Sequence, residues 1–181
     1  MTPDPTLLAF DLAADGRDDG TGAPAPPAAA NVPDAPGAGF AIDAAGVPLE
    51  GGDEPAFGTV RWRTLVCGDR TPSSGVVLGV AEFGPGDTLE PHRHGPAEVY
   101  FGLAGDGVVT IGGVAHEIRP GVAVYIPAGA EHCTVAGPSG LSFAYTFPTA
   151  RFADVDYRFT GRRETHGCRD GTGEGPVSRG A

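Results

Sequence analysis

Short apolar runs, separated by clusters of turn residues, fill the middle of the chain. The runs are rich in Val, Ile, Phe and Tyr, while the breaks consist of Gly, Pro, Asp and Ser, as at 84–86 and 137–140. This spacing, without a helical insert, is typical of all-β proteins. It predicts a small jelly-roll sandwich or barrel, with strands at 60–67, 75–83, 98–103, 107–111, 114–118, 123–126, 132–136 and 141–147.

The two ends of the chain lack this pattern. Residues 1–58 are dominated by Ala, Pro, Gly and Asp, and residues 161–181 are rich in Gly and Arg. Such segments cannot bury enough surface to offset the entropy lost on ordering. We therefore expect one β-barrel domain at 59–160, between a largely disordered N-terminal leader and a flexible C-terminal tail.

Acidic charge is concentrated in the expected leader. The chain has a formal net charge of −11, from 23 acidic and 12 basic residues, and residues 1–58 carry ten acids and one base, or −9 of that total. The rest of the chain is nearly balanced, whereas a nucleic-acid-binding protein needs a basic face. We therefore expect no nucleic-acid partner.

The cysteines bear on the compartment. Cys67, Cys133 and Cys168 are widely spaced and odd in number, which matches neither a disulfide framework nor a paired-cysteine zinc site. This usage favours a reducing compartment. Because no secretory signal or membrane-spanning run is visible, we predict a cytoplasmic protein without a membrane partner.

A His-x-His segment followed by a glutamate is the first sign of chemistry. In an extended chain His92 and His94 project to the same face, because side chains alternate with period two. Gly95 and Pro96 then turn the chain so that Glu98 can begin a neighbouring strand. The carboxylate of Glu98 would supply an oxygen to the same point.

A third imidazole comes from His132, which follows a strand and a tight Pro-Ala-Gly turn. Three neutral imidazoles and one carboxylate form a good site for one divalent transition metal ion, with one or two coordination positions left open. We expect Fe(II) first, with Mn(II), Ni(II), Zn(II) and Cu(II) as alternatives. His116 lies outside this arrangement, and we expect an exposed or hydrogen-bonded strand residue there.

Tyr100 lies two positions after Glu98 and hence on the same face of its strand. A phenol beside a divalent cation can have its pKa lowered enough to serve as a base. Tyrosine is also common in strands for packing alone. Both interpretations of Tyr100 are open at this point.

These two segments resemble the paired motifs of the cupin superfamily. The first motif is a glycine, five residues, His-x-His, three or four residues, a glutamate, six residues and a glycine. The second is a glycine, five residues, Pro-x-Gly, two residues, a histidine, three residues and an asparagine, and this chain departs from it at the last position, where Ala136 stands. The matching positions are Gly86, His92, His94, Glu98 and Gly105 in the first, and Gly121, Pro127, Gly129 and His132 in the second. The resemblance implies a single-domain cupin with these four donors as metal ligands.

Within the cupins, residues 94–100 and 145–159 resemble the small members that include the W-type dimethylsulfoniopropionate lyases. In that group a metal-bound substrate loses its α-proton to a tyrosine, which the resemblance places at Tyr100. Tyr125 and Tyr145 are candidates for the substrate pocket. The implied partner is a small molecule, namely a carboxylate.

Three functions are compatible with these residues. The first is a metal-dependent lyase that acts on a small carboxylic acid and eliminates a β-leaving group such as dimethyl sulfide, with Tyr100 as base. The second is an Fe(II)-dependent cupin dioxygenase, which the ligand set alone permits. The third is a non-catalytic cupin that binds a small ligand. The Glu-x-Tyr spacing beside the ligand set favours the lyase.

A homodimer is a further expectation. Covering an exposed strand edge is a physical motive for pairing. The runs 60–67 and 141–147 are the candidate edges.

Overall fold

The structure, a computed structural model, describes residues 39–160, which form nine strands. Two short 3-10 turns, Ala44–Gly46 and Phe152–Asp154, are the helical elements of this part of the chain. The strands are β1 Glu50–Gly51, β2 Arg61–Val66, β3 Val77–Phe83, β4 Thr88–Arg93, β5 Glu98–Ile111, β6 Val114–Ile118, β7 Ala123–Ile126, β8 His132–Phe147 and β9 Arg158–Phe159. The predicted all-β fold is confirmed.

All strand pairs are antiparallel and join into one sheet that closes around its own inner face. One path runs β1-β2-β3-β8-β4-β9, while β5 pairs with β6, β7 and β8. The first half of β8 pairs with β4 and the second half with β3. We call the part of the fold around β4 and the part around β3 its two halves. Strand β8 belongs to both halves, and β5 pairs with β8 in each of them.

These two long strands replace four shorter ones in the prediction. The pairs of runs 98–103 with 107–111, and 132–136 with 141–147, each become one continuous strand. Pairing between β5 and β8 is interrupted by irregularities between Gly102 and Ala104 and between Gly105 and Gly107. At Gly105 the backbone has φ +66°, and a Cβ atom there would lie 2.1 Å from the carbonyl oxygen of Gly140. The chain bends at this point without a turn.

The core lies between the two halves and is largely aromatic and β-branched. Phe143, Tyr145 and Phe147 alternate along β8 toward the inside, and Val77 and Ala81 on β3 face them. Ring pairs such as Tyr100 with Phe143, 4.1 Å between centroids, fill the interior. The inner face is therefore apolar over most of its area and polar around one group of histidines.

Ordered structure begins before the expected barrel boundary at residue 59. Strand β1 pairs with Trp62 and Arg61 of β2, and Phe57 packs against the core. The division at 58 and 59 stays a prediction. The rest of the expected leader, 1–38, and the whole expected tail, 161–181, lie outside the described residues.

Two sequence-based expectations about this fold need correction. The run 141–147 is not a free edge, because it pairs with β3 on one side and β5 on the other. Cys67 is a free buried thiol, but Cys133 takes part in a disulfide, contrary to the expectation of unpaired cysteines. Within residues 39–160 no helix has the length and apolar character needed to span a bilayer.

Candidate metal centre and adjoining cavity

Three histidines meet at one point inside the fold. One ring nitrogen of each of His92, His94 and His132 lies within 4.8 Å of the others. Strand register creates this arrangement, because His92 on β4 is paired directly with His132 on β8. Their ring centroids are 4.1 Å apart, and the ring of His94 is 4.9 Å from that of His132.

The loop after β4 places the third imidazole. His94 follows the last residue of β4, and its carbonyl oxygen accepts a hydrogen bond of 2.9 Å from the N–H of Gly129. Gly129 belongs to the turn that precedes His132. One backbone hydrogen bond therefore links the two segments that supply the histidines.

Main-chain carbonyl groups orient all three rings. Each Nδ1–H donates to a carbonyl two residues away, from His92 to Glu90 at 2.8 Å, from His94 to Pro96 at 2.9 Å and from His132 to Ala130 at 3.0 Å. This hydrogen bond fixes the ring tautomer and leaves Nε2 as the coordinating atom. All three Nε2 atoms then face the common point.

Glu98 completes the group at the start of β5. Its Oε2 atom accepts a hydrogen bond of 3.1 Å from His94 Nε2 and lies 3.4 Å from His132 Nε2. All four side chains are buried. Three imidazoles and a carboxylate around one point form a donor set that suits a divalent transition metal.

Buried nitrogen atoms without partners give a direct test of this fit. The Nε2 atoms of His92 and His132 have no hydrogen-bond partner among the described residues. A buried polar group left unpaired costs about 1–3 kcal/mol. A metal ion at the common point would satisfy both lone pairs, so the residues fit the metal that the cupin resemblance implies.

Burial and charge set the protonation of these rings. Burial, helped by the neighbouring His132, holds the pKa of His92 well below its ordinary value. Burial also acts to lower the pKa of His94, but the hydrogen bond and the negative charge of Glu98 outweigh it and raise that pKa. The neutral His92 ring is therefore ready to coordinate, while the neighbouring Glu98 favours the protonated form of His94 in the metal-free protein.

A small cavity adjoins Glu98 on the inner face. Its volume is about 30 Å³, and aromatic side chains form most of its wall. The lining residues include Phe57, Trp62, Glu98, Tyr100, Phe143, Tyr145, Phe152 and Tyr157. Of the two tyrosines expected in the pocket, Tyr145 lines this cavity.

Tyr125 does not line the cavity, contrary to its expected role in the substrate pocket. Val124 and Ile126 are the buried residues of β7, so strand alternation turns Tyr125 to the outside, where 63% of its surface is exposed. His116 is exposed on β6, as expected.

Three tyrosines of the cavity have raised pKa values. Burial raises the pKa of Tyr100 well above its usual value, and the charge of Glu98 adds to the effect. The same two causes raise the pKa of Tyr157. Burial also raises the pKa of Tyr145, although its hydrogen bond of 3.1 Å with Thr64 acts in the opposite direction.

Tyr157 is the main site residue that sequence reasoning missed. Its ring stacks on His92 with centroids 5.2 Å apart and meets His94 edge-on at 5.4 Å. Phe57, Trp62 and Phe152 in the cavity wall were missed too. Residue 157 lies inside the segment 145–159 that carried the family resemblance, but no spacing rule relates it to the histidines.

Known proteins resemble this chain in sequence. The family described as the Cupin domain matches residues 79–140. Dimethylsulfoniopropionate lyase DddW of Ruegeria pomeroyi is 59% identical to this chain over 130 residues, which cover 72% of this chain and 84% of that protein.

Solved structures share the fold at lower identity. Polyketide cyclase RemF from Streptomyces resistomycificus superposes with a TM-score of 0.58 at 24% identity, over 70% of this chain and 89% of that chain. A chain from the crystal structures of the DMSP lyases RdDddP and RnDddQII gives a TM-score of 0.54 at 19% identity, over 64% of this chain and 63% of that chain. At these identities the two structures bear on the fold alone.

The sequence match to DddW bears on the family of this chain as well as on its fold. It extends over most of both chains, well beyond the segment that carries the ligand motifs. The predicted lyase class is confirmed by this match. The chain belongs to the cupin superfamily and, within it, to the family of dimethylsulfoniopropionate lyase DddW.

Proposed function

We propose that this chain is a metal-dependent lyase that eliminates dimethyl sulfide from dimethylsulfoniopropionate. The observation that carries the proposal is a cavity walled by tyrosines beside the three-histidine group, in a chain 59% identical to a lyase named for this substrate. The reaction needs a base at the α-carbon, a stabiliser of negative charge at the carboxylate and a place for the cationic sulfonium group, which leaves as neutral dimethyl sulfide. The site supplies residues suited to each need.

His92, His94, His132 and Glu98 would hold the metal, with Fe(II) as our first choice. When bound, the ion draws electron density from the substrate carboxylate and so lowers the energy of the carbanion-like charge at the α-carbon. The three Nε2 atoms and the Glu98 oxygen already converge on one point. Their burial keeps water away from the charge that develops.

The aromatic wall suits the other end of the substrate. A sulfonium group is a cation without hydrogen-bond donors, and aromatic faces attract such cations by about 0.5–2 kcal/mol each. Phe57, Trp62, Phe152 and Tyr157 provide these faces. Among the described residues that line the cavity, Glu98 is the only carboxylate.

Tyr100 is the base in this proposal. Its phenolate oxygen takes the proton from the α-carbon, the electron pair forms the α–β double bond, and the β-carbon–sulfur bond breaks with its electrons going to sulfur. The products are acrylate, neutral dimethyl sulfide and a protonated Tyr100. Burial and the negative charge of Glu98 raise the Tyr100 pKa. The hydroxyl can therefore lose its proton and act as the base only where a positive charge offsets the negative charge of Glu98.

Substrate entry requires the wall to open. A cavity of about 30 Å³ holds on the order of one water molecule. Phe152 and Tyr157 belong to the segment after β8, which is held to the 67–69 loop by three backbone N–H donors. These bonds run from Gly68 to Ala150 O at 2.8 Å, from Phe152 to Cys67 Sγ at 3.2 Å and from Ala153 to Asp69 Oδ2 at 3.3 Å. In the proposal this segment moves to admit the substrate.

Replacement of Tyr100 by phenylalanine tests the base. We expect Tyr100→Phe to lower the elimination rate by about 10²–10⁴-fold at unchanged metal content, because the ring stays and only the hydroxyl is lost. Headspace measurement of dimethyl sulfide gives the rate, and elemental analysis gives the metal. The exposed His116→Gln serves as a matched control with a wild-type rate.

Three outcomes would each contradict a part of this proposal. A Tyr100→Phe enzyme with full metal and full activity would remove Tyr100 from the mechanism, and loss of activity in Tyr157→Phe alone would transfer the role to that residue. Turnover that requires oxygen and releases no dimethyl sulfide would instead establish the dioxygenase considered from the ligand set.

A further inference from the structure

One row of the inner face links a buried threonine on β2 to the proposed base on β5. Strand register pairs Thr64 on β2 with Gly79 on β3, and Gly79 with Tyr145 on β8. Tyr145 is paired in turn with Tyr100 on β5. The side chains of Thr64, Tyr145 and Tyr100 are all buried. The row therefore runs through the interior from Thr64 to the side chain that takes the proton in the proposed reaction.

The ring of Tyr145 occupies the space that the glycine of this row leaves free. A Cβ atom at Gly79 would lie 2.3 Å from both Cζ and the hydroxyl oxygen of Tyr145. The hydroxyl end of the ring therefore lies directly on the backbone of β3. It reaches the Thr64 hydroxyl on the next strand, with 3.1 Å between the two oxygen atoms. The ring thus extends along the row away from Tyr100.

The two hydroxyl groups form an exclusive pair. Among residues 39–160, each has the other as its only hydrogen-bond partner. Valine and phenylalanine would fill nearly the same space here without placing polar groups in the core. The hydroxyl pair therefore adds direction rather than apolar burial, because a buried hydroxyl must keep its partner. It fixes where the end of the Tyr145 ring lies.

The position of this ring decides how much space remains beside the base. Tyr145, Tyr100 and Glu98 line the same cavity of about 30 Å³, whereas Thr64 does not line it. A space of this size holds on the order of one water molecule. Even a small shift of the Tyr145 ring toward Tyr100 would therefore fill it.

We propose that Thr64 is a positioning residue of the lyase, whose hydroxyl holds the Tyr145 ring over Gly79 and so keeps the cavity open beside Tyr100. This role rests on the proposed function, because the substrate then binds in this cavity. Without the Thr64 hydroxyl, the buried hydroxyl of Tyr145 loses its partner. The carboxylate of Glu98 lies in the wall of the same cavity, so the hydroxyl reaches this new acceptor by turning inward.

Thr64→Val tests the role, because it removes the hydroxyl and nearly keeps the shape. If the ring then fills the cavity nine-tenths of the time, the binding-competent fraction is one-tenth and KM rises about tenfold. We expect kcat to stay close to the wild-type value, since a bound substrate has already displaced the ring. Dimethyl sulfide release by the full, metal-loaded chain over a range of dimethylsulfoniopropionate concentrations gives both constants.

A second substitution separates this role from a general loss of stability. Tyr145→Phe deletes the hydroxyl that turns inward, so adding it to Thr64→Val should lower the raised KM again about tenfold. Thr64→Ser keeps the hydroxyl and should not show the rise. Thr110→Val is the matched control, because the buried hydroxyl of Thr110 has no partner among the described residues and does not line the cavity. Its KM should equal that of the wild type.

A Thr64→Val enzyme with the wild-type KM would overturn the proposal. A raised KM that Tyr145→Phe does not lower would also overturn it, because the freed hydroxyl would then not be what closes the cavity. Thr64→Cys, whose thiol is a much weaker hydrogen-bond partner, takes the place of Thr64→Val if that variant does not fold.

A crystal structure of the metal-loaded Thr64→Val variant without substrate tests the ring position directly. We expect the Tyr145 ring inside the cavity, and a ring that stays over Gly79 would contradict the proposal whatever the substrate is. A wild-type enzyme that releases no dimethyl sulfide would refute the proposed function alone. The two failures are therefore distinguishable.

Discussion

Backbone carbonyl groups, rather than side chains, hold the three imidazoles in place. The acceptors for the Nδ1 protons belong to Glu90, Pro96 and Ala130, each two residues from its histidine. Substitution of these residues leaves a carbonyl group in place, so the ring orientation depends on the local backbone path. The metal site therefore tolerates changes in side chains around it better than changes in loop length.

The protonation of His92 predicts a pH effect on the stability of the metal-free protein. Its pKa is lowered in the folded state, so its contribution to stability is present above the unfolded pKa of about 6.5 and is lost as the pH falls below it. Between pH 6.5 and 5.5 this loss is about 1 kcal/mol for one group. Urea unfolding with chelator should show a smaller acid loss in His92→Gln than in the wild type.

The exposed His116→Gln is the control for this measurement and should lose stability with acid as the wild type does. An equal acid loss in His92→Gln and the wild type would show that the His92 pKa is unperturbed by folding.

Sequence reasoning predicted His92, His94 and His132 together because strand alternation and turn residues decide where they point. It could not place Tyr157, whose position over the His92 ring depends on a non-local path after β8. Tyr125 shows the opposite difficulty. An aromatic residue in a short strand can face either way, and only the register of β7 with β5 turns it outward.

At the scale of elements, the Tyr145 ring of β8 packs directly over Gly79 of β3. A Cβ atom at Gly79 would lie 2.3 Å from the hydroxyl oxygen of Tyr145 and 2.5 Å from the carbonyl oxygen of Arg63. Gly79 is paired with Tyr145 across the two strands. The absent side chain therefore lets the ring lie flat over β3 and reach Thr64 on β2.

Gly79→Ala tests this contact. We expect a loss of about 1–3 kcal/mol in the free energy of unfolding, because the methyl group displaces the Tyr145 ring or spreads the strands. Gly95→Ala is the control, since a Cβ atom there meets nothing within 4 Å and its φ is not in the left-handed region. Equal stability of the two variants in urea unfolding would contradict the expected clash.

Element boundaries were predicted well where a turn follows a strand and poorly where a strand bends. The Gly-Gly hairpin between β5 and β6 matches the prediction. In contrast, the sequence around Gly105 has the composition of a turn, but the chain continues as β5. Glycine occurs both in turns and at bends within a strand, and only the pairing with β8 shows that the chain bends at Gly105.

At the scale of the whole molecule, the metal ion should contribute to stability. Among the described residues, two Nε2 atoms without a hydrogen-bond partner and the contact of His94 Nε2 with Glu98 Oε2 lie at one point of the folded protein. An ion at one hundred times its dissociation constant stabilises the fold by about 2.7 kcal/mol, or roughly 5–10 °C in Tm for a chain of this size. Calorimetry with and without chelator measures the effect.

The control for the metal effect is His132→Ala, in which chelator should leave Tm unchanged. A wild-type Tm that is unchanged by chelator, after metal analysis shows removal of the ion, would contradict a stabilising role.

The overall architecture was largely predictable, because strand runs and turn residues alternate at short intervals through the barrel. The pairing of the strands was not predictable from the sequence, since β8 pairs with β3, β4 and β5, which lie far apart in the chain. Such choices follow from packing of the two halves as a whole.

The direct pairing of His92 with His132 also has a meaning for synthesis on the ribosome. No partial chain that ends before residue 132 contains the site, and the register that joins the two rings forms only when β8 can pair with β4. Metal can therefore enter only after nearly the whole barrel has emerged from the exit tunnel. A nascent chain stalled before the first half of β8 has emerged should bind no metal at this site.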